Sequence, residues 1–514
     1  MILTLNRGNG IPLYVQIKDQ LIRLIENRSL KPGSKLPATR ELALSLGVSR
    51  NVILLAYQEL EAMGFISSEI GRGSFVTQNP PFKNLHSNKI VPEGKDNSAK
   101  TNYEGLFSTG WSRYFSETLT NLTNLKNLKT DDRLISFDPD FKEPNPTETV
   151  FPDINNFKKS INYAFDRYNS ALLSSNSPQG FKPLLQYLVE FLSMRGIKCE
   201  EANILIVNGI QQGLSLVGRL FIDPGDTVLL ENLTYPGALT IFRALQANCI
   251  GIPVNHEGLN LEIVASVLKR RRVKLLYTIP TFHNPLGNVL PLEKRLTLLQ
   301  LCRENQTIIV EDDYAHELGF EKKEIPPLKA WDESEIVIYM GSFSETLFSG
   351  IRLSWIVAPR EIIKKLILIK KSSDLYTSPI LQAAVLEYLR RGFFKKLLKK
   401  KVLSLKKRSE AMHRAMEEYF PPEASWKRPK GGLYQWVEIS PNIDSLSLFI
   451  KSRDRGVIFS PDRFFSVEEW QRNGFRLSFS TANEEEIDRG IKTIGDLMRE
   501  ILNKGSTLKP EKQK

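Results

Sequence analysis

The chain has 514 residues, 41% of them hydrophobic and 25% charged, the balance of a soluble protein with large cores, and at about 150 residues per domain it predicts two to four domains. That excludes a disordered, collagen-like or disulfide-stapled chain; no apolar run approaches the ~18 residues of a membrane span. The opening Met1–Gly8 lacks the basic-then-apolar layout of a secretory signal, and Cys199, Cys249 and Cys302 are isolated and odd in number, against a disulfide framework or a zinc cluster. A cytoplasmic protein is expected.

The formal net charge is +12, and residues 390–408 hold ten Lys or Arg and no acid. Leu397, Leu398, Leu403 and Leu405 interleave with those lysines, which predicts an amphipathic helix with one solvated face. A surface facing DNA or a membrane is the alternative, and charge alone does not choose between them.

In chain order, residues 12–28 place Leu13, Ile17, Leu21, Leu24 and Ile25 on one helical face. Pro32-Gly33 breaks that helix. A second helix over Thr39–Leu46 stops at Gly47, and Ser49 is a good N-cap for a third. The third helix is expected to bury Val52, Ala56, Leu60 and Met63 and to leave Arg50 and Asn51 on its outer face. Phe65–Ile70, the turn Gly71-Arg72-Gly73 and Ser74–Val76 predict a two-stranded hairpin with an arginine at its tip. Helix, tight turn, capped helix and basic wing describe a winged helix-turn-helix, which offers the N-terminal residues of its second helix to the major groove. Lys35 is expected to lie away from the groove.

Residues 80–130 are rich in Asn, Ser, Lys and Thr and predict a polar linker, helical near 113–128. Beyond it, short apolar runs alternate with longer helical patterns, as in a mostly parallel α/β sheet. The expected organisation is 1–79, a DNA-binding domain; 80–130, the linker; 131–390, a large domain; 391–503, a C-terminal small subdomain; and 504–514, a basic tail. Within the large domain, the apolar run Ile204–Val207 leads through Asn208-Gly209 into a helix, a turn that suits a phosphate. Leu275–Pro280 leads into His283–Gly287. The strand Thr307–Val310 ends in Glu311-Asp312-Asp313-Tyr314, acids placed where open α/β sheets bind ligands.

Two resemblances add to this reading. Leu30–Ala43, Leu46–Arg50, Ala56–Ile66 and Gly71–Val76 resemble the GntR-type DNA-binding domain. The resemblance implies DNA contacts by Arg40 and Arg50, with Ser49 and Asn51 beside them at the helix start, and a wing contact by Arg72 with Gly73. The later motifs resemble fold-type I, pyridoxal-phosphate-dependent aminotransferases: Phe151-Pro152, Gln179-Gly180, Gly209–Gln212, Glu231–Gly237, Asn284–Gly287, Glu311–Tyr314, Gly350–Leu353 and Phe475–Ser478 follow in family order. The pair of domains resembles the MocR/GabR subfamily of transcription regulators.

The resemblance implies a multidomain fold. A winged helix-turn-helix, mostly α with a β-wing, precedes an α/β fold-type I transferase-like domain with a C-terminal α+β subdomain. It also implies roles. Asp312 would pair with the pyridinium nitrogen and keep the ring an electron sink. Asn284 and Tyr314 would hold the phenolate oxygen, and Tyr235 would stack on the ring. Ile210, Gln211, Ser342, Ser344 and Arg352 would hold the phosphate, and Arg476 would clamp an amino-acid carboxylate.

One motif departs. The family has Ser-x-Ser-Lys where this chain reads Ser342-Phe343-Ser344-Glu345, so Glu345 stands at the position of the Schiff-base lysine, and no catalytic residue is assigned. A carboxylate can neither condense with an aldehyde nor shuttle the α-proton as an amine does. Ser349 for a usual proline and Ser354 for a usual glycine fit a relaxed site. The negative charge of Glu345 suits an ammonium, so non-covalent pyridoxamine 5'-phosphate, or pyridoxal 5'-phosphate already joined to an amine, is the expected ligand. The function expected is a homodimeric, DNA-binding transcription regulator that senses a vitamin B6-type or amino-acid ligand. The alternatives are a working aminotransferase with an attached DNA-binding domain, and a regulator whose large domain only dimerises.

Overall fold

The computed structural model describes residues 5, 12–26, 29–69, 72–78, 134–139, 153–174, 177–255, 257–321, 325–468 and 473–506. The linker over 80–130 with its helical stretch, Phe151-Pro152, Gly71 and the tail beyond Ser506 lie outside the described residues. The chain divides into two compact units, Met1–Ser108 and Thr109–Lys514.

The first unit holds α1 (Leu13–Glu26), α2 (Thr39–Leu46), α3 (Arg50–Ala62) and the antiparallel hairpin of β1 (Ile66–Glu69) and β2 (Gly73–Val76). Ile17, Leu21 and Ile25 bury one stripe of α1 against Ile53, Ala56, Tyr57 and Leu60 of α3, and Phe65, Ile66 and Val76 close the core from the hairpin. Gly47 ends α2 in the left-handed region (φ 62°), and its N–H reaches back to carbonyls of that helix. Met63, expected inside, is 44% exposed. The buried stripe is Ile53-Ala56-Tyr57-Leu60, turned one residue from the predicted one, so Met63 falls on its rim. Lys35, expected away from the groove, bridges to Phe75 of the wing, and its side chain packs beside Gly73.

The second unit is built on a seven-stranded sheet in the order β4 (Ile204–Val207), β12 (Ser354–Val357), β11 (Val337–Ser342), β10 (Ile308–Asp313), β9 (Val273–Thr278), β5 (Thr227–Glu231) and β6 (Asn248–Ile252). β12 runs antiparallel to both neighbours and the remaining pairs are parallel. Covered on both faces, β4 and β11 are buried at every position, which is why they read as continuous apolar runs rather than alternating ones. A short hairpin, β7 (Val254–Asn255) with β8 (Gly258–Leu259), follows β6.

The C-terminal part carries a four-stranded antiparallel sheet ordered β13 (Ser425–Trp426), β14 (Tyr434–Glu438), β17 (Gly474–Ser478), β16 (Ser460–Pro461). The early strand β3 (Ile135–Ser136) pairs in parallel with β15 (Val457–Ile458), so the segment after the linker is stitched into the C-terminal part. The helix Phe393–Tyr419 buries Phe394, Leu397 and Leu405 and leaves Lys395, Lys396, Lys399, Lys400, Lys406 and Lys407 exposed. That is the amphipathic helix the charge run predicts, although Leu403 lies on its wet side, 57% exposed.

Candidate functional site

The predicted residues converge at the carboxyl ends of β4, β9, β10 and β11, where open α/β sheets bind ligands. Asp312, near the end of β10, is 3% exposed. The Tyr277 hydroxyl donates to its Oδ2 at 2.8 Å, and Oδ1 is buried without a hydrogen-bond partner. Burial pushes this carboxyl up to about 7, against the Tyr277 bond, which favours the ionised form.

At the carboxyl end of β4, Gly209 (φ 85°) precedes the helix Ile210–Phe221. A Cβ there would lie 2.2 Å from Nη2 of Arg352, so only glycine lets the guanidinium lie over this helix N-terminus. Ser342, last in β11, accepts from the Ser354 hydroxyl at 2.8 Å and the Ser344 N–H at 3.0 Å, and the Ser344 hydroxyl oxygen is buried without a partner. Ser354 is fully buried and makes a bond that glycine could not. It is a built part of this cradle rather than a mark of relaxation. The Tyr235 hydroxyl donates to Gln211 Oε1 at 3.1 Å, and Gln211 donates in turn to the Gly237 carbonyl.

On the opposite side, Arg476 of β17 donates from Nη1 to Asn284 Oδ1 at 2.9 Å and from Nη2 to Ser460 Oγ at 3.0 Å. Tyr314 donates its hydroxyl to the Phe282 carbonyl at 2.9 Å. Burial holds that phenol far above its ordinary range; the nearby Tyr434, Glu345 and Asp312 push the same way, and Arg476 opposes them. Glu345, Asp312 and Arg476 therefore share one neighbourhood around Tyr314. The Lys401 ammonium donates to the Glu345 carbonyl at 2.5 Å and lies 3.5 Å from that of Leu347. It braces this turn, and burial lowers its pKa while the charge of Glu345 offsets part of that.

Tyr277, Asp138, Ser460 and Lys401 escape the sequence reading. Each reaches the site across the fold rather than along a motif. In the first unit, Arg40, Ser49, Arg50, Asn51, Arg72 and Gly73 are all exposed. Nε of Arg50 lies 3.5 Å from Thr39 Oγ1, linking the first turns of α2 and α3. Ser49 occupies the N-cap position but its side chain makes no capping bond.

Residues 155–494 match the family description "Aminotransferase class I and II". The chain belongs to the aminotransferase class I and II family. Residues 13–76 match "Bacterial regulatory proteins, gntR family", so this aminotransferase-family chain carries a GntR winged helix-turn-helix domain. It is similar to "Aromatic-amino-acid aminotransferase 1" of Thermococcus litoralis, with 34% identity over 66% of this chain and 83% of that protein. It is similar nearly end to end to "Probable rhizopine catabolism regulatory protein MocR" of Rhizobium meliloti, with 26% identity over 98% of this chain and 97% of the other. Among solved structures it resembles LysN, the α-aminoadipate aminotransferase of Thermus thermophilus complexed with N-(5'-phosphopyridoxyl)-L-leucine. The TM-score is 0.70 at 30% identity, covering 78% of this chain and all of LysN. The architecture is that of the MocR-type regulators, and the aminotransferase family binds pyridoxal phosphate. Among the described residues no helix is long and apolar enough to cross a membrane.

The residues present fit that cofactor. A ring N–H donor would satisfy the orphaned Oδ1 of Asp312, and the cradle at Gly209, Ser342, Ser344 and Arg352 presents donors to a phosphate. When bound, a pyridinium ring paired with a carboxylate supplies an electron sink. What departs from the family is Glu345, which gives the ring no amine to bond.

Proposed function

We propose that the chain is a DNA-binding transcription regulator whose aminotransferase-family domain is a sensor rather than a catalyst. The sensor domain holds a vitamin B6 phosphate without a covalent bond, in its amine form. The observation that carries this reading is Glu345 at the lysine position beside an Asp312 whose Oδ1 still lacks a partner. Asp312 would hold the ring nitrogen, Asn284 and Tyr314 the phenolate side, and Tyr235 the ring face. Ile210, Gln211, Ser342, Ser344 and Arg352 would hold the phosphate. The Glu345 carboxylate would face the amine in a charge-assisted hydrogen bond of about 1.5–3 kcal/mol.

The GntR domain would read a duplex operator with Arg40, Ser49, Arg50 and Asn51, and with Arg72 and Gly73 of the wing. One winged helix covers only a short half-site, so a two-fold pair of chains is the reading's natural assembly. Light scattering at micromolar concentration should give a dimer.

Titration calorimetry with pyridoxal and pyridoxamine phosphates, followed by borohydride reduction and intact-mass measurement, tests the sensor. The expected result is tighter binding of pyridoxamine phosphate, with a pyridoxal-derived mass adduct only in Glu345→Lys. An adduct localised to the pocket of the native protein favours the rival, a working aminotransferase with an attached DNA-binding domain. No binding of either compound leaves a large domain that only dimerises.

A further inference from the structure

Arg476 is held by the protein's own groups at both Nη1 and Nη2. Beyond Asn284 and Ser460, its Nη2 lies 3.5 Å from Oδ2 of Asp138, and the Ser460 hydroxyl donates to that same oxygen at 2.5 Å. Arg476 is 4% exposed and Asp138 2%. The guanidinium lies 4.3 Å from the Tyr434 ring centroid and 4.7 Å from that of Phe465. Only Nε is left buried without a partner.

Asp138 is held in place as firmly as the arginine. It follows β3, whose register on β15 pairs Ile135 with Val457 and Ser136 with Ile458. The Phe137 N–H donates to the Ile458 carbonyl at 2.8 Å, and the Phe137 carbonyl accepts from Ser478 of β17 at 2.7 Å. The Ser136 hydroxyl donates to the Asp138 carbonyl at 2.8 Å. This acid is built into the wall of the site rather than loose on its rim.

A carboxylate docking on Arg476 would share one guanidinium with a second buried carboxylate a few ångströms away. Like charges in a dry site disfavour one another, and the second anion gains little from a cation already neutralised. Glu345, also near Tyr314, adds negative charge where the amine of a ligand would lie. The fixed charge of Glu345 therefore favours a cation on its side, and a carboxylate meets in Arg476 a guanidinium that Asp138 already neutralises.

Resting on the reading above that this site holds a vitamin B6 phosphate, we propose that Asp138 sets its specificity: the site takes pyridoxamine phosphate, or its conjugate with a simple amine, and rejects conjugates of amino acids. Asp138 does so by occupying the cation that would otherwise clamp the α-carboxylate.

The test is calorimetric titration of the full chain with three probes: pyridoxamine phosphate, N-(5'-phosphopyridoxyl)-L-leucine, and the same adduct made from 3-methylbutylamine, which lacks only the carboxylate. The native protein should bind the amine adduct about tenfold or more tightly than the leucine adduct, a difference of ~1.4 kcal/mol. Asp138→Asn keeps the side-chain shape and an acceptor for Ser460 but removes the charge, so the leucine adduct should gain about tenfold while the amine adduct moves far less. Asp138→Ala should shift the same ratio the same way, which covers a folding defect peculiar to either variant. A native preference for the leucine adduct overturns the inference, as does a variant that weakens both adducts equally, the mark of a merely structural ion pair. If pyridoxamine phosphate binds but the two adducts do not differ, this inference alone falls. If pyridoxamine phosphate itself fails to bind, the sensor reading falls with it.

Discussion

The hydroxyl of Tyr277 holds one oxygen of Asp312 at 2.8 Å and leaves the other buried with no partner. A buried acceptor without a donor is costly to leave unmade, and this one shares the surroundings of Tyr314 with Glu345 and Arg476. The sheet thus keeps an unsatisfied carboxylate where a ring nitrogen could reach it, while the lysine that would bond a cofactor covalently is gone. Recognition chemistry outlasting reaction chemistry is the pattern expected of a sensor derived from an enzyme fold.

The raised pKa of Asp312 has a consequence for stability. The group sits at about 7 in the fold against an ordinary 3.8. Between those values the folded chain holds a proton that the unfolded chain has lost, so its contribution falls as pH rises through the window and levels off above it. Asp312→Asn should remove that loss: relative to native, the unliganded variant should gain a few kcal/mol of stability between pH 4 and pH 8. Thermal scans across that range check the sign. The same variant should lose pyridoxamine phosphate affinity by roughly tenfold or more, a charge-assisted bond's worth.

Gly209→Ala tests the phosphate cradle. The new methyl would collide with the Arg352 guanidinium, at a φ of 85° and ψ of 162° that L residues resist at about 1–3 kcal/mol. The preference for pyridoxamine phosphate over pyridoxamine should shrink at least tenfold, because the guanidinium must leave the helix N-terminus. An unchanged preference would place the phosphate elsewhere.

In the DNA-binding unit, Arg50→Ala should weaken operator binding by about 1–3 kcal/mol and blur base preference, as loss of a base-edge contact does. Lys35→Ala should weaken it too, because Lys35 packs beside Gly73 at the wing. Lys399→Ala with Lys400→Ala, on the wet face of the helix Phe393–Tyr419, should change neither affinity nor its salt slope. A salt slope reduced by that pair would make the lysine face a DNA contact after all.

Much of this was legible in the sequence, for local reasons. The periodic apolar residues of α1, the stop at Gly47 and the Gly-Arg-Gly tip define the winged helix within fewer than eighty residues. The strand-to-turn strings at Gly209 and Glu311–Tyr314 put the cradle and Asp312 at the sheet's carboxyl edge. Asp138 was illegible because its partner Ser460 is 322 residues away, joined only once β3 pairs with β15. Tyr277 meets Asp312 through the pairing of β9 with β10, which no spacing within β9 announces. Ser354 misled because a departure from a family pattern looks like decay until its hydroxyl is found bonded to Ser342.

A second brace holds the turn at Gly209. Asp374 accepts from Asn208 Nδ2 at 2.6 Å, from Gln212 Nε2 at 2.8 Å and from Lys370 Nζ at 2.8 Å, and Lys370 also donates to Gln212 Oε1 at 3.0 Å. Gln212 Oε1 in turn accepts from the Asn208 N–H, so the residue before Gly209 is tied to both. The Lys370 side chain is wholly buried, and burial lowers its pKa while Asp374 opposes the shift. Asp374→Ala should therefore destabilise the chain by on the order of 3 kcal/mol, since it strands a buried ammonium. Adding Lys370→Met removes that ammonium at similar volume and should restore most of the stability. It should not restore the preference for pyridoxamine phosphate over pyridoxamine, because Asn208 and Gln212 still lack their shared acceptor and only the Asn208 N–H bond to Gln212 Oε1 still ties the turn at Gly209. Urea melts and paired titrations on both variants separate the two effects. Recovery of stability and phosphate preference together would mean that the network only packs the fold, and that Gly209 and Arg352 shape the cradle unaided.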